Sequence, residues 1–105
     1  MQTATIRLIG IDVDGTLVGT GGIIHPRVWE AVTHARERGI HLALCSGRPA
    51  FGLALEYARR LEPSGWHIFQ NGASILNLAT GYSRSVALPV HWVKNLIEQA
   101  RRSGE

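Results

Sequence analysis

Residues 6–18 read IRLIGIDVDGTLV, and that stretch decides the fold. Ile6 to Val13 is a short, nearly continuous apolar run, which suits a strand buried on both faces. It ends in Asp12-Val13-Asp14-Gly15-Thr16. Asp12 and Asp14 are the only aspartates in the 105 residues. They stand two apart at a strand end, where both carboxylates can face one pocket. Two carboxylates so close repel unless a cation sits between them or one holds a proton. Mg²⁺, a hard cation, suits carboxylates, water and phosphate oxygens. One carboxylate can attack phosphorus, while the other protonates the leaving oxygen and then deprotonates the attacking water.

Outward from this stretch, strands and helices alternate. Residues 15–24 (GTLVGTGGII) are rich in Gly and Thr and read as a mobile flap or a small hairpin. Pro26 stands where a helix should open, Val28, Val32 and Ala35 follow at helical spacing, and Gly39 supplies the stop, giving a helix over 26–38. Ile40, Leu42 and Leu44 lead a second strand into Cys45-Ser46-Gly47-Arg48. Pro49 opens a second helix with Phe51, Leu55, Ala58 and Leu61 on one face, and Trp66 to Gln70 forms a third strand that ends at Asn71-Gly72. The order β-α-β-α-β predicts an α/β fold built on a Rossmann-like, three-layer parallel sheet. Residues 74–78 and 82–87 then form an antiparallel hairpin around Thr80-Gly81, and Pro89 opens a last helix over 89–102. Two units follow: a core over residues 1–73, with its flap at about 15–24, and a hairpin-plus-helix unit over 74–105.

Ligands of parallel sheets bind outside the carboxyl ends of the strands. All three strands end there in polar groups: Asp12 to Thr16, Ser46 to Arg48, and Gln70 to Gly72. Gly15 and Thr16 permit close backbone approach and offer N–H donors. Ser46 and Gly47 can donate to phosphate oxygens at the start of the second helix, where the dipole favours an anion. Arg48 can add a bidentate phosphate contact. Blander readings stand beside these: Ser46 as a plain N-cap, Asn71-Gly72 as a type I′ turn, Arg48 as a surface arginine. The five histidines share no metal-ligand spacing and read as structural or exposed. Cys45 reads as a small buried residue.

Composition sets the outer bounds. The hydrophobic share is 45% and the charged share 18%, a globular balance. The net charge of +3 comes from scattered arginines rather than a dense basic patch, so nucleic acid is not an expected partner. No run of about 18 apolar residues predicts a membrane span. A single cysteine and no recognisable leader predict a cytoplasmic setting.

IDVDGTLV at 11–18, CSGRP at 45–49 and QNGASI at 70–75 resemble, in order, motif one, motif two and the segment after the third strand of haloacid dehalogenase-like (HAD) hydrolases of the Cof-type (IIB) phosphatase subgroup. The resemblance implies a Mg²⁺-dependent phosphohydrolase of small phosphomonoesters such as sugar phosphates, working through an aspartyl-phosphate. It implies Asp12 as nucleophile and metal ligand, Asp14 as general acid/base and metal ligand through its main-chain carbonyl, and Ser46 as a phosphoryl contact. It further implies that 74–105 leads into an α/β cap. The family also uses a motif-three lysine and a motif-four acidic segment. Lys94, the sole lysine, lies in the wrong segment for the first, and the absence of any aspartate after Asp14 leaves the second unmet. The chain is therefore expected to be the front part of such an enzyme, its first strand an exposed edge that invites a homodimer. The alternative is a non-catalytic fragment that folds or dimerises without turnover. A receiver-like phospho-acceptor domain fits less well, since it wants an isolated aspartate on a later strand.

Overall fold

The computed structural model describes residues 5–104; Met1–Ala4 and Glu105, the ends of the two expected units, lie outside the described residues. Strand β1 (Leu8–Asp12) runs into the Gly-rich loop, and helix α1 (Pro26–Glu37) follows. Pro26 occupies the first turn, the His25 Nδ1 accepts the Arg27 N–H at 3.1 Å, and Gly39 beyond the helix takes a φ of 78° that only glycine adopts freely. Next come β2 (His41–Cys45), α2 (Gly52–Leu61) and β3 (Trp66–Phe69), then the hairpin β4 (Ser74–Asn77) and β5 (Ser83–Ser85), and last α3 (Val90–Arg102).

The five strands form one sheet in the order β1-β2-β3-β4-β5. β1, β2 and β3 are mutually parallel, as the alternation with helices requires; β4 and β5 add antiparallel pairs. The Asn77 Oδ1 accepts N–H groups from Ala79 and Thr80, an Asx turn that closes the hairpin. The architecture is thus the expected mixed α/β fold.

One departure concerns α2, which does not open at Pro49. Phe51 is extended and Gly52 has a φ of 62°, so helical backbone cannot begin before them. Ser46 to Phe51 is a loop, and the helix-dipole contribution expected at Ser46 and Gly47 does not apply.

The core lies on one face of the sheet. Val13, Leu42, Leu44 and Phe69 pack with Val32 of α1 and Ala54, Ala58 and Leu61 of α2. Both crossover helices therefore cover the same face, and the described residues fill two of the three expected layers. The opposite face is an open groove lined by Leu8, Ala43, Trp66 and Ile68. β1 is an edge strand, with Leu8 and Ile9 exposed. α3 buries no residue fully, and Val93, Leu96 and Ile97 of its apolar stripe stay exposed. That projecting helix explains a radius of gyration of 17.5 Å, against about 13 Å for a compact chain of this length. No helix among the described residues is long and apolar enough to cross a membrane.

Candidate active site

The first strand end is shaped by what it buries. Val13, Leu17 and Val18 are almost completely enclosed, which turns Asp12 and Asp14, on either side of Val13, outward to solvent. Val18 N–H donates to the Val13 carbonyl at 2.9 Å, and Leu17 N–H donates to the Asp12 carbonyl at 3.2 Å. Gly15, at a φ of 79°, makes the reversal possible. The Asp12 carboxylate accepts its neighbour's N–H, from Val13, at 2.9 Å.

The second and third strand ends are laced together. Ser46 is buried, and its N–H donates to the Ile68 carbonyl at 3.0 Å. Asn71 N–H returns to the Ser46 carbonyl at 3.0 Å, and Gln70 N–H to that of Arg48 at 3.1 Å. The Ser46 hydroxyl accepts the Arg48 N–H at 3.0 Å, a local turn contact rather than a helix cap. A Cβ added at Gly47 would lie 3.1 Å from Asn71 Oδ1, so glycine there lets the Asn71 side chain close over the loop. Gln70 and Asn71 both hold positive φ, at 52° and 55°, in a single 3₁₀ turn from Gln70 to Gly72. Asparagine tolerates that region better than most residues. Gly72 follows at a φ of 97°, and the Ala73 N–H donates to the Gln70 carbonyl at 3.1 Å, so Asn71-Gly72 form the central pair of the expected type I′ turn and Gln70 extends the positive-φ run by one residue.

These segments enclose a cleft of about 290 Å³ lined by Asp12, Ser46, Gly47 and Asn71, together with Cys45, Ile68 and Gly72. Four of the residues picked out from sequence therefore share one cavity. Cys45 was read as core; it is half-buried and pairs in register with Asp12, a proximity visible only once the two strands are aligned. Thr16 is placed elsewhere. It lines an apolar groove with Ile9, Ile11 and Val28 beside α1, away from Ser46 and Asn71.

Asp14 and Arg48 stand outside this cleft and engage each other. The Arg48 Nε and Nη2 donate to the two carboxylate oxygens of Asp14 in a bidentate pair. The hydrogen bonds from Arg48 hold the Asp14 carboxyl below its ordinary pKa and raise that of the guanidinium in return. A depressed carboxyl pKa adds stability above about pH 3.9, lost as pH falls through the folded value. Both groups are solvated, so screening keeps that contribution small. In Arg48→Ala the Asp14 carboxyl is expected to titrate at a higher pH, close to its ordinary value, as followed by carboxyl ¹³C NMR. An unmoved midpoint would show that the pair does not persist in solution.

Oxygen donors at the first strand end suit a hard cation in kind: an exposed Asp12 carboxylate and, two residues on, the backbone of Asp14. They are few. Among the described residues, no group of three His, Cys, Asp or Glu side chains is positioned to hold a metal ion.

A family model for haloacid dehalogenase-like hydrolases matches residues 9–104. YxeH of Bacillus subtilis is 34% identical over 76 residues, which is 70% of this chain and 28% of that protein. The 5-amino-6-(5-phospho-D-ribitylamino)uracil phosphatase YcsE of Bacillus subtilis is 33% identical over 74 residues, 70% of this chain and 29% of its own length. Among solved structures, a haloacid dehalogenase-like hydrolase from Bacteroides thetaiotaomicron superposes with a TM-score of 0.82 and 34% identity, covering 93% of this chain and 38% of that one. A HAD subclass IIB sugar phosphatase superposes with a TM-score of 0.75 and 27% identity, covering 95% and 38%. The chain spans under a third of the length of the curated relatives it matches. With the match running from β1 through α3, the chain belongs to the haloacid dehalogenase-like hydrolase family.

Proposed function

We propose that this chain carries the nucleophile-bearing part of a Mg²⁺-dependent phosphohydrolase of small phosphomonoesters, working through an aspartyl-phosphate on Asp12. One observation carries the reading: an exposed Asp12 carboxylate opens into a cleft walled by Ser46, Gly47 and Asn71. A phosphoryl group seated there would meet a nucleophile on one side and hydroxyl, amide and backbone donors on the other. The superposition on a sugar phosphatase supports a sugar phosphate as the substrate class. The sole cysteine, Cys45, is free, which is compatible with a cytoplasmic setting.

In this reading an Asp12 oxygen attacks phosphorus and the ester P–O bond breaks. Asp14 gives its proton to the leaving alkoxide. Asp14, now ionised, takes a proton from a water that attacks the phosphoryl group, releasing inorganic phosphate and regenerating Asp12. Arg48 must let go for this to happen, because a carboxylate held ionised by two guanidinium hydrogen bonds is a poor acid. An arriving phosphoryl group offers Arg48 another bidentate partner, which would free Asp14 to carry a proton. Mg²⁺, when bound, would offset the charge shared by Asp12 and the phosphate; the Asp12 carboxylate and the Asp14 main-chain carbonyl are the residues that would hold it.

The test is hydrolysis of p-nitrophenyl phosphate by the purified 105-residue chain with Mg²⁺ and with chelator. Turnover that disappears on chelation supports the reading. Absence of turnover from protein with a cooperative melt sinks it for this polypeptide and favours a second reading, a fragment that folds or self-associates without catalysis. The open β1 edge, with Leu8 and Ile9 exposed, favours that alternative.

A further inference from the structure

His67 is completely enclosed, yet both of its ring nitrogens are engaged. Leu44 N–H donates to Nδ1 at 3.0 Å, and Nε2 lies 2.9 Å from the Glu62 carbonyl oxygen. A backbone N–H can only donate, so Nδ1 must be the bare nitrogen. A carbonyl oxygen can only accept, so Nε2 must carry the proton. The ring is therefore neutral and in a single tautomer.

Its position gives this chemistry a consequence. β2 and β3 share one pair of register partners, Cys45 and Ile68. One residue before that pair on each strand, the His67 ring takes the Leu44 N–H that a partner carbonyl would otherwise accept. One residue after it begins the lacing that fixes the cleft, Ser46 N–H to Ile68 and Asn71 N–H to Ser46. The imidazole thus spans the junction between strands on the side opposite the candidate active site. We propose that His67 is a positioning residue, an acid-sensitive clasp that sets the spacing of β2 and β3 and with it the placement of Ser46 against Asn71.

Protonation would place a second N–H at Nδ1, directly against the Leu44 N–H. Two donors cannot keep a 3.0 Å contact, so the ring or the strand must move. The charged groups bearing on the ring are few. Glu62, after α2, presents its carbonyl to Nε2, while its carboxylate lies 2.9 Å from the His41 Nδ1 at the start of β2. Arg59 and Arg60 lie in the last turn of α2, and Arg60 is stacked over Trp29. Leu44 on β2 and Leu76, the register partner on β4, carry no charge. Burial pushes the His67 pKa down, partly offset by the Glu62 carbonyl and then its carboxylate. With the folded value below the unfolded one, the clasp's contribution is full above about pH 6.5 and is lost as pH falls towards the folded pKa.

The inference concerns the geometry of the cleft and stands or falls independently of turnover. The experiment is ¹H–¹⁵N NMR of the wild-type chain from pH 8 downward, with urea unfolding at each pH. At neutral pH the ring should show an unprotonated Nδ1 and a protonated Nε2. On acidification the Leu44, Ser46 and Asn71 amide signals should move with the same midpoint as the ring. The folding constant should fall by up to about tenfold per pH unit below pH 6.5. In His67→Asn, which keeps a side-chain oxygen acceptor but does not titrate, that slope should lessen by about one proton. Either of two results overturns the proposal: a proton resident on Nδ1 at neutral pH, or a ring that titrates while the Ser46 and Asn71 amides stay still. Both are read in the wild-type chain, so the conclusion does not depend on the variant folding.

Discussion

Asp12→Asn is expected to abolish the proposed phosphate-ester hydrolysis, lowering kcat by a factor on the order of 10⁴ or more, while leaving the fold intact. The two halves of that expectation have separate causes. The carboxamide is close in size to the carboxylate, and its oxygen can still accept the Val13 N–H that Asp12 accepts at 2.9 Å. Asp12 is exposed, so no buried cavity opens. What disappears is the anionic oxygen that, in the proposed mechanism, would attack phosphorus, and with it the proposed covalent intermediate. Asp14→Asn makes an informative partner. Loss of a general acid costs about 10²–10⁴ when the leaving group is an alkoxide. A p-nitrophenolate leaves without a proton, so on that substrate the Asp14 variant should still release a first equivalent of p-nitrophenol, which the Asp12 variant cannot, before unassisted attack by water slows further turnover. A first-equivalent burst missing from both variants would overturn the division of labour. Intact thermal melts for both are the control that keeps the comparison chemical.

The strand-helix alternation was legible because each element carries its own local signal. A continuous apolar run announces β1, and Pro26 and Gly39 bracket α1. Thr80-Gly81 announces the hairpin, and Gly81 takes a φ of 75° there. Convergence of Asp12, Ser46, Gly47 and Asn71 on one cleft follows from parallel topology, so it too could be read from strand ends. What the sequence withheld depends on contacts between distant residues. The Asp14–Arg48 pair joins positions 34 apart, and nothing near either residue specifies the other. The proline signal at Pro49 was outvoted by the backbone of Phe51 and Gly52, which displaced the start of α2 and removed the helix dipole from Ser46. Thr16 sits next to Gly15 in sequence, but the burial of Leu17 and Val18 turns the loop so that Thr16 faces the α1 groove. His67 looks ordinary along the chain. Only the strand junction reveals that its ring replaces a rung of the ladder.

Phe69→Ala is expected to be the most destabilising truncation in the core, at about 3–5 kcal/mol. Phe69 is wholly enclosed and the largest of the buried side chains. It lies in the cluster where Leu42 and Leu44 of β2 meet Ala54, Ala58 and Leu61 of α2. The small alanines of α2 cannot swing into the space it would leave, so the cavity would persist and add to the lost transfer free energy. The margin is narrow as well. A domain of this size holds about 5–15 kcal/mol in total, and one open sheet face and an unpacked α3 argue for the lower end. With an m-value of about 1–2 kcal/mol/M, the urea midpoint should fall by at least about 1.5 M. Leu96→Ala is the matched control: Leu96 is 54% exposed on α3, and its truncation should stay within about 0.5 kcal/mol. Because Phe69 is the residue just before Gln70 and Asn71, its loss should also loosen the third strand end, and with it the proposed phosphate site, in whatever fraction remains folded. An unchanged midpoint in Phe69→Ala would place the centre of the core elsewhere and leave the delivery of Asn71 to the cleft without its anchor.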